Sequence, residues 1–201
     1  MLILRNRDAS PFGRKVNIAV AVLGLSDEIR IEFADTNDET DSLRGQNPLG
    51  KIPTLILDDG TVLFDSRVIV EYLDARAGGG RIIPRDERRF TALTMQALAD
   101  GIMEASVIRV YEVRYRPEDK RHAPWTERQA EKVARALARL EAEPPSLEGD
   151  LHIGHIAVAC AVGYQDLRFD GTWRGDHPRL VAWLDRFAER VPAFQATKVD
   201  P

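Results

Sequence analysis

The chain lacks most of the features that would announce a membrane, a metal or a polyanion. It has one cysteine, Cys160, in 201 residues, so it can close no internal disulfide and build no cysteine metal cluster. No apolar run approaches the ~20 residues needed to cross a bilayer. The opening Met1-Leu2-Ile3-Leu4-Arg5 is too short for the apolar core of a secretory signal. A cytoplasmic location with no membrane partner is therefore the expectation. Positive charge is not in excess either: 28 Lys and Arg against 32 Asp and Glu leave a net charge of −4, which gives no footprint for nucleic acid. What is present, 44% hydrophobic and 30% charged residues, suits a soluble globular protein with a real core.

One stretch organises the rest. Asn47-Pro48-Leu49-Gly50-Lys51-Ile52-Pro53 packs two prolines and a glycine together, then releases into Thr54-Leu55-Ile56-Leu57. Asp58-Asp59-Gly60-Thr61 is a hairpin turn signal, and Val62-Leu63-Phe64 gives the returning strand. An X-Pro bond prefers trans by only ~0.5–1 kcal/mol, so Pro53 admits two readings. It is either a trans proline that starts a strand or a cis proline that turns the Ile52 backbone outward, where an extended peptide can pair with it.

Around this stretch the periodicities change once. Leu2 to Arg5 reads as a strand. Ser10-Pro11 opens a helix with a favoured cap and a favoured first residue, Val16, Ala19, Val20 and Leu23 give it one apolar face, and Gly24 ends it. Ile29 to Phe33 alternates as a half-buried strand, and the acidic stretch from Thr36 to Gln46 holds a short irregular helix. A further helix carries Val68, Ile69, Tyr72 and Leu73. Gly78-Gly79-Gly80 then marks a loose linker. Beyond it only helices are expected: one through Phe90, Leu93, Ala97, Ile102 and Ala105 to about Tyr115, and one opened by a Thr126/Gln129 capping box and stopped by Pro144-Pro145. A helix apolar on every side over Ile156 to Gly163 follows, then an amphipathic one through Leu180, Trp183, Leu184, Phe187 and Val191. The expected architecture is an α/β layer with a mixed sheet over residues 1–77, a linker over 78–84 and an all-helical domain over 85–201.

NPLGKIPTL, the Asp65-Ser66 pair at a helix start and Ser10-Pro11-Phe12-Gly13-Arg14-Lys15-Val16 after the first strand stand in an order that resembles the glutathione S-transferase family, in its serine-type, bacterial-like, two-domain form. The resemblance covers nearly the whole chain. It implies a thioredoxin-like fold for the first domain and glutathione as co-substrate. Ser10 would then stabilise the glutathione thiolate, with Lys51, Ile52, Pro53, Asp65 and Ser66 holding the peptide. It further implies conjugation of a small-molecule electrophile, a detoxifying role and a homodimer. Read from the residues alone, Ser10 is a plain N-cap before it is anything else, and for Asp65-Ser66 a plain cap is compatible with binding, since the same N–H groups serve both. Because the turn carries serine and not cysteine, thiol-transferase chemistry through a mixed disulfide is not expected. A second functional reading keeps the fold without the chemistry, resembling the stringent starvation proteins, which use this scaffold to bind other proteins.

Phe12, Met103, Tyr111 and Tyr115 are candidates for an apolar electrophile pocket, Phe12 and Tyr111 first among them. Cys160, inside the all-apolar helix, is expected to be buried and inert. His152 and His155 share one helical face, but without a third ligand they do not make a metal site. Relatives usually carry a serine or threonine cap and an aspartate at these two places. Neutral histidine should cap less well, so His152→Thr with His155→Asp is expected to stabilise by ~1 kcal/mol.

Overall fold

In the computed structural model, which describes residues 1–199, the first half is built around strand β1 (Leu2–Asn6). It pairs in parallel with β2 (Ile29–Phe33) and antiparallel with β3 (Thr54–Ile56), and β4 (Val62–Leu63) completes the order β2-β1-β3-β4. A parallel pair needs a crossover, and helix α1 (Pro11–Leu23) supplies it. Val16, Ala19, Val20 and Leu23 are buried along one face as the periodicity predicts, and Gly24 ends the helix at φ 75°. Gly13 is required by a close approach: a Cβ there would lie 1.7 Å from Asn6 Oδ1 at the end of β1. The hairpin closes at Gly60, φ 84°, with the Leu57 N–H donating to Thr61 O at 2.8 Å. Helices α2 (Leu43–Gln46) and α3 (Ser66–Arg76) flank it.

Strand β2 corrects one expectation. Its apolar side is not buried; Ile31 and Phe33 are largely exposed. The strand lies at the sheet edge, packs mainly on β1 and the short turn before it, and meets solvent where a central strand would meet a helix. The Arg7 guanidinium, 5.6 Å from the ring centroid of Phe33, is part of its cover.

The glycine segment corrects a second. Gly78, Gly79 and Gly80 all have positive φ, but they are not loose. Buried Asp74 accepts the N–H groups of Gly80 at 2.7 Å, Arg81 at 2.9 Å and Ile82 at 2.7 Å, while Gly79 N–H donates to its carbonyl. This cage docks Ile82 and Ile83 into the core, so the two halves meet through a fixed turn. Asp74→Ala takes the acceptor from three N–H groups, the Ile82 one buried and the other two part-buried, and is expected to cost about 2–3 kcal/mol. Urea denaturation would read this as a lowered midpoint; an unchanged midpoint would mean that water replaces the carboxylate.

The second half comprises α4 (Arg88–Tyr115), α5 (Ala123–Ala142), α6 (Ile153–Phe169), α7 (Pro178–Arg190) and the short α8 (Pro192–Ala196). Helix α6 is buried on every side from Ile153 to Gln165, as its composition predicts. Helix α4 bears out part of its expected face and corrects the rest: Ile102 and Ala105 are buried and Leu93 half-buried, but Phe90 and Ala97 face out, and Ala92, Gln96, Ala99, Met103 and Ser106 are buried as well. Small side chains on this face let α4 approach α6 closely, and Gln165 donates to Ser106 Oγ at 2.6 Å across the contact. The Thr126 capping box does not form. Pro124 lies in the first turn of α5, so the helix begins at Ala123 and the Thr126 hydroxyl donates back to Ala123 O. Helix α1 packs against α6 and α8, with Arg14 donating to Phe194 O at 2.6 Å and Lys15 to Asp100 Oδ1 at 2.6 Å. These contacts hold the mouth of α1 against the helical half.

Candidate active site

The proline loop is shaped by a side chain that the sequence reading passed over. Buried Asn47 donates from Nδ2 to Lys51 O at 2.9 Å and to Thr54 Oγ1 at 3.1 Å, and its Oδ1 accepts the Leu49 N–H at 3.0 Å. The Ile52-Pro53 bond is cis. Ile52 lies just before the paired residues of β3, and among the described residues its N–H and C=O have no backbone partner. An extended peptide laid beside Ile52 finds one donor and one acceptor waiting.

Ser10 stands at the mouth of α1 with extended backbone, φ −81° and ψ 120°, and its Oγ accepts the Gly13 N–H at 3.1 Å. The cap uses an oxygen lone pair; the hydroxyl proton has no acceptor among the described residues. Capping and donating to a bound group are therefore compatible. Ser10, Phe12, Lys51, Ile52 and Tyr111 line one cleft of about 660 Å³ between the sheet half and helices α4 and α6. Tyr115 lies on the same wall, with its hydroxyl donating to Asn37 Oδ1 at 2.6 Å. Met103 does not; it is fully buried in the core, because α4 turns that face toward α6.

Pro53, Asp65 and Ser66 lie off this wall. Asp65 caps α3 by accepting the Arg67 N–H at 2.7 Å, and Ser66 is buried behind it. Burial pushes the Asp65 carboxyl up, but hydrogen bonds from the Arg67 backbone and guanidinium outweigh it and hold the group below the ordinary carboxylate value. The first turn of α3 thus presents N–H groups and one anionic side chain, and α3 packs against β3, the strand that follows the proline loop.

Several cleft residues escaped the sequence reading: Arg7, Glu104, Arg114, Tyr164 and Arg168. A signal was present. Glu104, Ile108, Tyr111 and Tyr115 recur at three- and four-residue steps on α4, and Tyr164 and Arg168 are four apart on α6.

Away from the cleft, Cys160 is buried as expected, and burial pushes its thiol up to about 12. The histidines behave otherwise than expected. His152 Nδ1 accepts the Gly154 N–H and His155 Nδ1 accepts the His152 N–H, both at 3.1 Å, with the rings stacked 3.7 Å apart. They build a capping box themselves, because an unprotonated Nδ1 is an acceptor within reach of the same N–H groups as a carboxylate.

The family model for the glutathione S-transferase N-terminal domain matches residues 9–76, and that for the C-terminal domain matches residues 123–186. The chain is similar to an uncharacterized GST-like protein of Escherichia coli K12, YibF, at 34% identity over 186 residues, 90% of this chain and 91% of that one. It is also similar, over the whole of both chains, to a glutathione transferase family member from Pseudomonas fluorescens Pf-5. The structure of that protein with bound glutathione gives 43% identity and a TM-score of 0.92. The structure with bound S-(propanoic acid)-glutathione gives 42% and 0.88.

Proposed function

The chain belongs to the glutathione S-transferase family, and from that premise we propose that it is a transferase that binds glutathione, stabilises its thiolate and conjugates it to a small electrophile. The peptide lies along Ile52, pairing with its free N–H and C=O. Lys51 and the start of α3, with Asp65 and Ser66, take the charged groups of the peptide, and Pro53 holds the turn that presents Ile52. The sulfur then reaches the mouth of α1. One observation carries this reading: the Ser10 hydroxyl proton is unspent, on the wall that also holds Ile52, Phe12 and Tyr111. The glutathione bound by the Pseudomonas relative supports it.

Serine need not ionise. Its O–H donates to the sulfur, while the N–H groups and positive end of α1 favour the anion. Lowering a thiol pKa from about 8.5 to near 6.5 takes roughly 2.7 kcal/mol, which two or three such interactions supply. The proton leaves to solvent, and the thiolate attacks an electrophile packed between Phe12 and Tyr111. A cytoplasmic homodimer with a detoxifying role is part of the same reading; exposed Leu49, Val68 and Phe90 are apolar surface that a second copy would cover.

Ser10→Ala tests it. Glutathione affinity should change little, since the peptide contacts remain. The bound thiol pKa should rise by about one to two units, from loss of a hydrogen bond worth ~1.5–3 kcal/mol, and turnover at neutral pH should fall in step. The lost cap costs about 1 kcal/mol, so folding is checked first. The readouts are ultraviolet titration of the bound thiolate and conjugation of an aromatic halide. A folded variant with the parent pKa and rate would reduce Ser10 to a cap. A parent that binds glutathione without lowering its pKa would leave a binding protein in place of the transferase.

A further inference from the structure

The cleft is cationic. Arg114 and Arg168 line its helical side and Arg7 and Lys51 its sheet side, against a single acid, Glu104. Glu104 is already 3.7 Å from Arg67, and Arg7 is 3.6 Å from Asp35. Arg114 and Arg168 have no carboxylate within ion-pairing distance among the described residues. Instead each guanidinium leans on a tyrosine of the same helix: Arg114 lies 6.0 Å from the Tyr111 ring centroid, and Arg168 lies 5.9 Å from that of Tyr164. The buried Nε of Arg168 has no hydrogen-bond partner.

A pocket for purely apolar electrophiles has no use for this arrangement. Guanidinium groups that share a cleft without carboxylate partners are poor company for an uncharged ring unless an anion joins them. Their planar forks match a carboxylate, and the tyrosine faces beside them fix their orientation. Arg114 comes from α4 and Arg168 from α6, so an anion between them is gripped from two elements.

We propose that the electrophile half of the cleft selects substrates that carry a carboxylate, with Arg114 and Arg168 as its binding residues and Arg7 at its edge. This rests on the transferase reading only for the placement of glutathione. The arginines face the side of the cleft formed by Tyr111 and Tyr164, whereas the peptide is assigned to Ile52 and the start of α3.

Two glutathione conjugates isolate the effect. S-(2-carboxyethyl)glutathione and S-propylglutathione carry the same peptide and differ by a carboxylate in place of a methyl group, so any contact to the carboxylates of glutathione itself cancels. Titration calorimetry at low salt should show the acid binding about tenfold tighter, a gap of ~1.4 kcal/mol. The gap should narrow as salt is raised. Arg114→Gln, at an exposed position, and Arg168→Gln should each cut the preference severalfold, while Arg114→Lys keeps part of it. Arg114→Gln decides the matter if Arg168→Gln fails to fold. A parent preference near or below one overturns the inference and leaves the transferase reading standing. A preference that survives both glutamine variants also overturns it. If neither conjugate binds, the glutathione reading and this inference fall together.

Discussion

Lys15→Met is expected to cost about 3–5 kcal/mol of stability, the usual consequence of removing one partner from a buried ion pair. Lys15 is fully buried, and its Nζ lies 2.6 Å from Asp100 Oδ1, which is itself 3% exposed. The pair ties α1 to α4 directly beneath the turn that carries Ser10. Burial already pushes the Asp100 carboxyl upward, with Lys15 as the main opposing influence and Arg67, at 3.7 Å, a weaker one. Without Lys15 the acid is stranded. A carboxyl whose folded pKa lies above its unfolded value binds more protons folded than unfolded. The penalty should therefore be largest at neutral pH and shrink as the pH falls and Asp100 takes a proton. Adding Asp100→Leu should restore most of the loss, since an apolar pair of similar volume is often as stable as the ion pair it replaces. Urea denaturation of parent, single and double variants at two pH values gives all three quantities. A loss under 1 kcal/mol, or a double variant no better than the single, would show that the pair is not coupled as described.

Much of the fold was readable because its signals are local. The Ser10 cap, the Pro11 that follows it and the Gly24 stop lie within one helix, and the Asp58–Thr61 turn fixes its hairpin over a few residues. Helix α6 declared its burial through composition alone. The misses have two physical origins: partners distant along the chain, and short-range side-chain-to-backbone folds that no residue pattern announces. Lys15 and Asp100 are 85 residues apart, and nothing at either position says that the other will neutralise it. Asp74 reads as one more polar residue on α3 until the glycine turn just after it puts three N–H groups around its carboxylate, a local fold and not a distant contact. The exposed side of β2 follows from its place at the sheet edge, which alternation within a strand does not encode. The candidate site divides the same way. Ser10, Ile52 and Asp65 sit in motifs with their own backbone logic. Arg114 and Arg168 converge only because α4 and α6 pack together, so which substrate the cleft prefers is written in tertiary structure.

The histidine box makes acid stability the second large effect. His152 and His155 both accept through Nδ1, so both bonds require that nitrogen unprotonated. Burial, then the neighbouring His152, lowers the His155 pKa to about 4, with Arg190 acting the same way and a hydrogen bond with the Ser146 backbone opposing. His152 is lowered too, by burial and then by Arg88. A histidine depressed in the folded state binds fewer protons folded than unfolded. Its contribution is complete above the unfolded value of ~6.5 and is lost as the pH falls from there toward 4. For His155 alone the loss is about 2 kcal/mol by pH 5 and about 3 kcal/mol in full, from ~1.36 kcal/mol per pKa unit. His155→Asp keeps an acceptor at the third helical position and removes this titration. Against the gain expected from the sequence, it should leave stability near pH 7.5 within about 0.5 kcal/mol of the parent, since one capping box replaces another. By pH 5 the variant should be the more stable by about 2 kcal/mol, because both proteins must hold His152 neutral but only the parent must also hold His155 neutral. Urea midpoints for both proteins at pH 7.5, 6 and 5 measure this. Parallel losses in parent and variant would show that His155 is not the group whose protonation limits the fold.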